Sequence, residues 1–202
     1  KLKKISLDNH QSALEKLKDF LSLDQLPNRI EAYDNSHTFG KESIGVMIVV
    51  DQEGFRSNNY RKFNIRYDVS SSNQSRIDDY YMMKEVLSRR FRKIDKYSDI
   101  PLPDVIIVDG GKGQLNVAKN IILEHNLASI TLISVSKGKK RNAGRDIIYT
   151  LQEKKVLKTS DPLLLFLQRI RDEAHRFAIT THRNRRNKQI TKSLFDEIPG
   201  IG

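Results

Sequence analysis

The chain has 202 residues, enough for one domain of ordinary size with a short appendage, and its 38% hydrophobic content supplies a real core and excludes a disordered tail. Thirty-six Lys and Arg against 25 Asp and Glu leave a formal charge of +11 at pH 7, which favours a polyanionic partner, either nucleic acid or a membrane surface. The absence of cysteine excludes disulfides, thiolate zinc sites and cysteine nucleophiles and fits a reducing cytoplasm, and no apolar run approaches the roughly 20 residues that span a bilayer.

In chain order, residues 8–23 carry Leu14, Leu17, Phe20 and Leu21 at helical spacing, and Pro27 closes that segment. Residues 29–34 read as a strand ending in a carboxylate, and 44–51 as a nearly unbroken β-branched strand buried on both faces. Alternation over 59–66 predicts a third strand, so the three form an antiparallel meander. The Ser/Asn/Gln stretch at 70–75 predicts a loop. Residues 77–94 are helical, with Met82, Val86, Leu87 and Phe91 on one face. Pro101 and Pro103 precede the buried strand Val105, Ile106, Ile107, Val108, which ends at Asp109. Gly110 and Gly111 then turn into a helix over 114–124.

A strand over 130–135 is followed by a basic loop at 137–145 and by a hairpin, or two short strands, over 147–156. Pro162 opens a helix reaching about Thr181, and the stretch after it is very basic. The expected organisation is a helical linker at 1–26, an α/β domain at 27–190, and a further linker at 191–202. Lys1 in place of Met and the closing Pro199-Gly200-Ile201-Gly202 read as a fragment of a longer protein. Three early strands followed by alternating helix and strand predict a mixed α/β sheet flanked by helices, the order of a ribonuclease H-like fold.

Two carboxylates stand out. Asp34 and Asp109 each end an apolar strand, and the carboxyl ends of neighbouring strands line the functional crevice of open α/β sheets. Taken singly, each reads as a strand cap. Side by side they would repel, and a divalent cation relieves that repulsion; hard oxygen ligands of this kind suit Mg²⁺ or Mn²⁺. The Gly110-Gly111-Lys112-Gly113 turn lacks the spacing of a nucleotide-binding loop, and Asp109 before it would repel a phosphate, so its glycines serve the tight turn. A lone helical histidine is ordinarily structural, yet His175 has a neutral imidazole that could complete a metal site or help activate water. His37 and His182 have nothing at metal-ligand spacing around them, and Asp78 and Asp79 suit a helix start.

A one-sign run over 169–192 (Arg169, Arg171, Arg176, Arg183, Arg185, Arg186, Lys188 and Lys192 against Asp172 and Glu173) predicts a surface that tracks phosphates. Lys112 and the loop beginning at Lys137 are further candidate DNA contacts.

The segments Arg29-Ile-Glu-Ala-Tyr-Asp34-Asn-Ser-His-Thr38, Asp78-Asp-Tyr-Tyr-Met82, Pro103-Asp-Val-Ile-Ile-Val-Asp109-Gly-Gly-Lys-Gly-Gln-Leu115 and Ile170-Arg-Asp-Glu-Ala-His175-Arg-Phe-Ala178 resemble successive signatures of the UvrC family of bacterial excinucleases. They occur in that family's order and extend over about residues 27–190. The closing segment, 198–202, resembles the start of the family's helix-hairpin-helix DNA-binding region. Tyr33 and Asn35 depart from the family pattern around Asp34 without replacing it, and the loop before Asp78 lacks an expected Gly.

The resemblance implies a ribonuclease H-like endonuclease domain with an Asp-Asp-His active site at Asp34, Asp109 and His175, and a further acidic position at Asp79. It also implies the 5′ cut on the damaged strand of double-stranded DNA during bacterial nucleotide excision repair. The 3′-cutting domain and the contact to the UvrB helicase subunit would lie in parts of the parent protein outside this chain. Two other readings remain open: a DNA-binding module whose acidic residues are structural, and a stand-alone ribonuclease H-type nuclease.

Overall fold

A computed structural model describes residues 2–37, 43–65, 79–92, 100–138 and 146–196, with side chains described throughout these ranges except at 2–7, 36, 37, 182 and 184–196. The Ser-rich loop, Asp78, most of the 137–145 loop and residues 198–202 lie outside the described residues, as do the side chains of His37, His182, Arg185, Arg186, Lys188 and Lys192.

Ile30–His37 (β1) and Ser43–Asp51 (β2) pair antiparallel, with Ile30 opposite Val50 and Asp34 opposite Val46. The other edge of β2 carries Gly54–Phe55 (β3) and Arg61–Ile65 (β4), so the expected meander forms. Gly54, at φ +120, makes the turn from β2 into β3.

Val105–Asp109 (β5) lies parallel to β1 on its free side, and Thr131–Ser136 (β6) lies parallel to β5. The expected hairpin is Ile147–Tyr149 (β7) with Lys154–Val156 (β8), antiparallel on the far edge. The sheet order is therefore β3-β2-β1-β5-β6-β7-β8, with β4 also on β2. The central strands β2 and β5 carry long apolar runs, because both of their faces are covered.

Asp79–Phe91 (α2) and Lys112–Glu124 (α3) cover one face, where Met82, Val86, Leu87, Leu115 and Ile121 meet Tyr33, Met47, Ile106 and Val108. Leu2–Leu21 (α1) and Pro162–Asp196 (α4) cover the other, where Leu14, Leu17, Leu167, Ile170 and Ala174 meet Ile30, Ala32, Ile48, Val105 and Ile107. Strand alternation thus divides β1 cleanly. Ile30, Ala32 and Asp34 face α4, while Glu31, Tyr33 and Asn35 face α2.

Two expected boundaries need correction. The segment at 1–26 is helical but is not a linker, since Leu14 and Leu17 are wholly buried in the same core as β1 and α4. Burying each such leucine contributes on the order of 2 kcal/mol, more than a linker helix would retain. At the other end, α4 passes both Thr181 and the boundary expected at 190/191, running to Asp196. After Pro162 it meets no Gly or Pro until Pro199, so no residue in the chain breaks it sooner. Its start is capped by Asp161, whose Oδ1 accepts the Leu163 N–H at 2.9 Å.

Candidate active site

Parallel pairing of β1 and β5 sets Tyr33 beside Val108, so Asp34 and Asp109 are the next residues on adjacent strands. Both carboxylates then point to the α4 face. The β5 strand stops there because Gly110 turns at φ +133, and its N–H is tied to the Val135 carbonyl at 3.0 Å. Gln114 Oε1 accepts the Gly111 N–H at 3.1 Å and so fixes the start of α3. The glycine turn therefore does what the sequence predicts: it closes tightly and leaves Asp109 at the rim.

The third group comes from α4. Ile170, Ala174 and Ala178 are buried against the sheet, and His175, one residue past Ala174, leans over the edge. Its Nδ1 lies 3.3 Å from Asp34 Oδ2, with the His175 side chain 58% exposed and that of Asp34 only 6%. Burial, and then the negative charge of Asp109, push Asp34 up to about 6; the His175 contact pulls the other way. Asp109 is also raised by burial, opposed by the charges of Arg171, Lys137 and His175 and reinforced by Asp146. Two carboxylates on adjacent strands, both raised by burial, are costly to ionise together.

A second layer escaped the sequence reading. Asp146, just before β7, is buried and accepts from Arg171 Nη1 at 2.6 Å and from Gln168 Nε2 at 3.0 Å. The only sequence signal was a carboxylate directly before an apolar strand. What makes it meaningful is that β7 returns along β6 and brings it to α4.

Arg171, expected on a DNA-contacting surface, is instead largely buried in this pair, with 11% of its side chain exposed. Arg176 is exposed but bonded to Glu173 at 2.6 and 2.7 Å, and Glu173 also accepts from Tyr60. Lys112, Lys137 and Arg183 are exposed.

Asp79 reaches the same edge from the opposite face. Its backbone carbonyl accepts from Asn35 Nδ2 at 3.4 Å, and its side chain is exposed at the first turn of α2. Among the described residues, no three His, Asp or Glu side chains gather closely enough to hold a metal ion by themselves. Also among them, no helix is long and apolar enough to cross a membrane.

The family model of the UvrC RNAse H endonuclease domain matches residues 18–179. UvrABC system protein C of Zymomonas mobilis is 45% identical over 194 residues, covering 94% of this chain and 29% of that protein. Its counterpart in Ruegeria pomeroyi is 46% identical over 191 residues, covering 92% and 30%. Among solved structures, Ciona intestinalis endonuclease V in complex with inosine-containing DNA aligns at a TM-score of 0.41 and 13% identity, covering 67% of this chain and 58% of that one. Bacillus subtilis endonuclease V aligns at 0.41 and 13%, covering 78% and 83%.

The class that the family model defines is a ribonuclease H-like endonuclease domain. Within that class, the chain belongs to the UvrC RNAse H endonuclease domain family. It spans about three-tenths of the length of the curated relatives it matches.

Proposed function

We propose that this chain is the module that makes the 5′ incision on the damaged strand in bacterial nucleotide excision repair, by divalent-metal-dependent hydrolysis of a phosphodiester. The observation that carries the reading is the pairing of the buried Asp34 with Asp109 on adjacent parallel strands, with His175 bonded to Asp34. The donor set fits Mg²⁺ or Mn²⁺: two hard carboxylates are enough when water and substrate phosphate oxygens complete the shell. Such an ion would be held by Asp34 and Asp109, with His175 beside it, and would supply Lewis-acid stabilisation of the charged phosphoryl group and a more acidic water.

The protein's own residues do the rest. Gly110 keeps the approach to Asp34 and Asp109 open at the rim. His175 positions the attacking water and takes its proton as the oxygen–phosphorus bond forms and the bond to the departing sugar oxygen breaks. Lys112, Lys137, Arg176, Arg183, Arg185 and Arg186 hold flanking phosphates, while Arg171 acts from behind Asp109 through its charge. Asp79 orders the opposite lip of the edge. The parent protein meets the UvrB helicase subunit through parts outside this chain and works in the cytoplasm.

The test is incision by the parent protein with its partner subunits on a damaged duplex already nicked on the 3′ side. Asp34→Ala is expected to abolish the 5′ cut while DNA binding is largely kept. An unchanged cut would leave a DNA-binding module with structural acids.

A further inference from the structure

On the α2 side of the same sheet edge, two aromatic rings stand half open to solvent. Tyr80 and Tyr81, in the first turn of α2, are 46% and 49% exposed. Tyr33, on the strand they flank, is 1% exposed and donates to Glu31 at 2.6 Å, so exposure is not the rule for tyrosine at this end of β1.

Both carboxylate-bearing strand ends meet this place. Asn35, next to Asp34, donates to the carbonyl of Asp79, the residue before Tyr80. Gly113 lies in the first turn of α3, four residues after Asp109, and a Cβ built there would sit 2.4 Å from Tyr80 Cε1 and Oη. The missing Cβ at Gly113 leaves room for the ring to lie against the start of α3. The Tyr80 ring thus rests against the start of α3, with nearly half of the residue's surface open and the exposed Lys112 next to Gly113 in the chain.

An exposed aromatic face beside a cation is a combination that binds single-stranded nucleic acid: the ring takes a base and the cation takes the backbone. The geometry also says which nucleotide. Asp34 and Asp109 point to the α4 face and Tyr80 lies on the other, so one nucleotide cannot reach both. A strand crossing the edge brings its scissile phosphate to the carboxylates and a neighbouring base to the ring. Stacking there requires that base to be unpaired.

We propose that Tyr80 is a stacking platform for an unpaired base next to the scissile phosphate, with Lys112 on the adjoining phosphate. Tyr81, about 100° further round the helix, presents a separate face and does not share that base. The proposal rests on the nuclease reading for its choice of strand, but it concerns binding and is read without cleavage.

The probe is a set of single-stranded oligonucleotides carrying 2-aminopurine at successive positions, titrated with this chain in EDTA; the same strands are then offered with Mg²⁺ for cutting. Stacking on Tyr80 quenches the probe at one or two positions. Tyr80→Phe keeps the quench. Tyr80→Ala loses it and weakens binding about tenfold. Tyr80→Leu preserves the apolar contact with Gly113 and also loses the quench, which decides the matter should the alanine variant fold poorly. Equal emission from wild type and Tyr80→Leu, or no quench at any position in wild type, overturns the platform whatever the cutting assay returns. A quench lost in Tyr80→Leu sustains the platform even where the chain cuts none of these strands, because the nuclease reading is tested separately, by incision with the parent protein and its partner subunits.

Discussion

Asp34 carries the sharpest consequence at the scale of single residues. Burial and the neighbouring Asp109 raise it to about 6, from an ordinary value of 3.8. The folded protein therefore holds this proton more tightly than the unfolded chain does. Its ionisation opposes folding fully above about pH 6, and that opposition fades as pH falls toward 4. In metal-free buffer at pH 7.5, Asp34→Asn should stabilise the protein by about 2 kcal/mol, or several degrees in Tm, and the gain should vanish near pH 4. Thermal melts across that range check it; a destabilised or pH-independent variant would contradict it. The same proton competes with a bound cation, so Mn²⁺ affinity should drop as pH falls below about 6. Titration calorimetry at pH 5 and pH 7.5 compares the two directly.

Among the elements, β1 joins the site to the frame. Its α4-facing residues end in Asp34, while on the α2 face Glu31 is wholly buried and accepts from Arg29 at 2.8 Å, Arg90 at 2.9 Å and Tyr33 at 2.6 Å. Arg90 also donates to the Pro101 carbonyl, so α2, β1 and the entry to β5 are tied together beneath the sheet edge that carries Asp34 and Asp109. Glu31→Gln leaves two buried guanidinium groups short of their counter-charge and should cost about 3–5 kcal/mol in urea unfolding. Leu14→Ala should cost about 2–5 kcal/mol if α1 is core, and almost nothing if it were a linker.

Much of this frame was legible in the sequence. The β-branched runs of β2 and β5 announce strands buried on both faces, and Asp109 followed by two glycines announces an exposed strand end. Helical periodicity in α1 shows that one face is apolar without saying what meets it, so its place in the core could not be read. The Asp146–Arg171 pair joins residues far apart in sequence, and no local pattern marks it. Tyr33 and Asn35 looked like odd variants beside Asp34. Strand alternation turns both toward α2, where one joins the ionic cluster and the other reaches the α2 terminus.

For the whole molecule, the excess of +11 and the basic α4 predict DNA binding that weakens with salt. Arg183, exposed on α4, should contribute one phosphate contact: Arg183→Ala lowers the slope of log affinity against log salt by about one, with no change in sequence preference. Arg171→Ala should act differently, because that side chain is paired with Asp146 and faces Asp109. The central claim is that Asp34 and Asp109 form a metal-dependent cutting centre, and Asp109→Ala tests it most directly. The parent protein and its partner subunits are given a damaged duplex nicked on the 3′ side, and 5′ incision is followed in Mg²⁺ and in EDTA. Loss of the cut in the variant and in EDTA, with DNA still bound, is the predicted result. A 5′ cut that survives Asp109→Ala would remove the carboxylate pair from the chemistry and contradict the account.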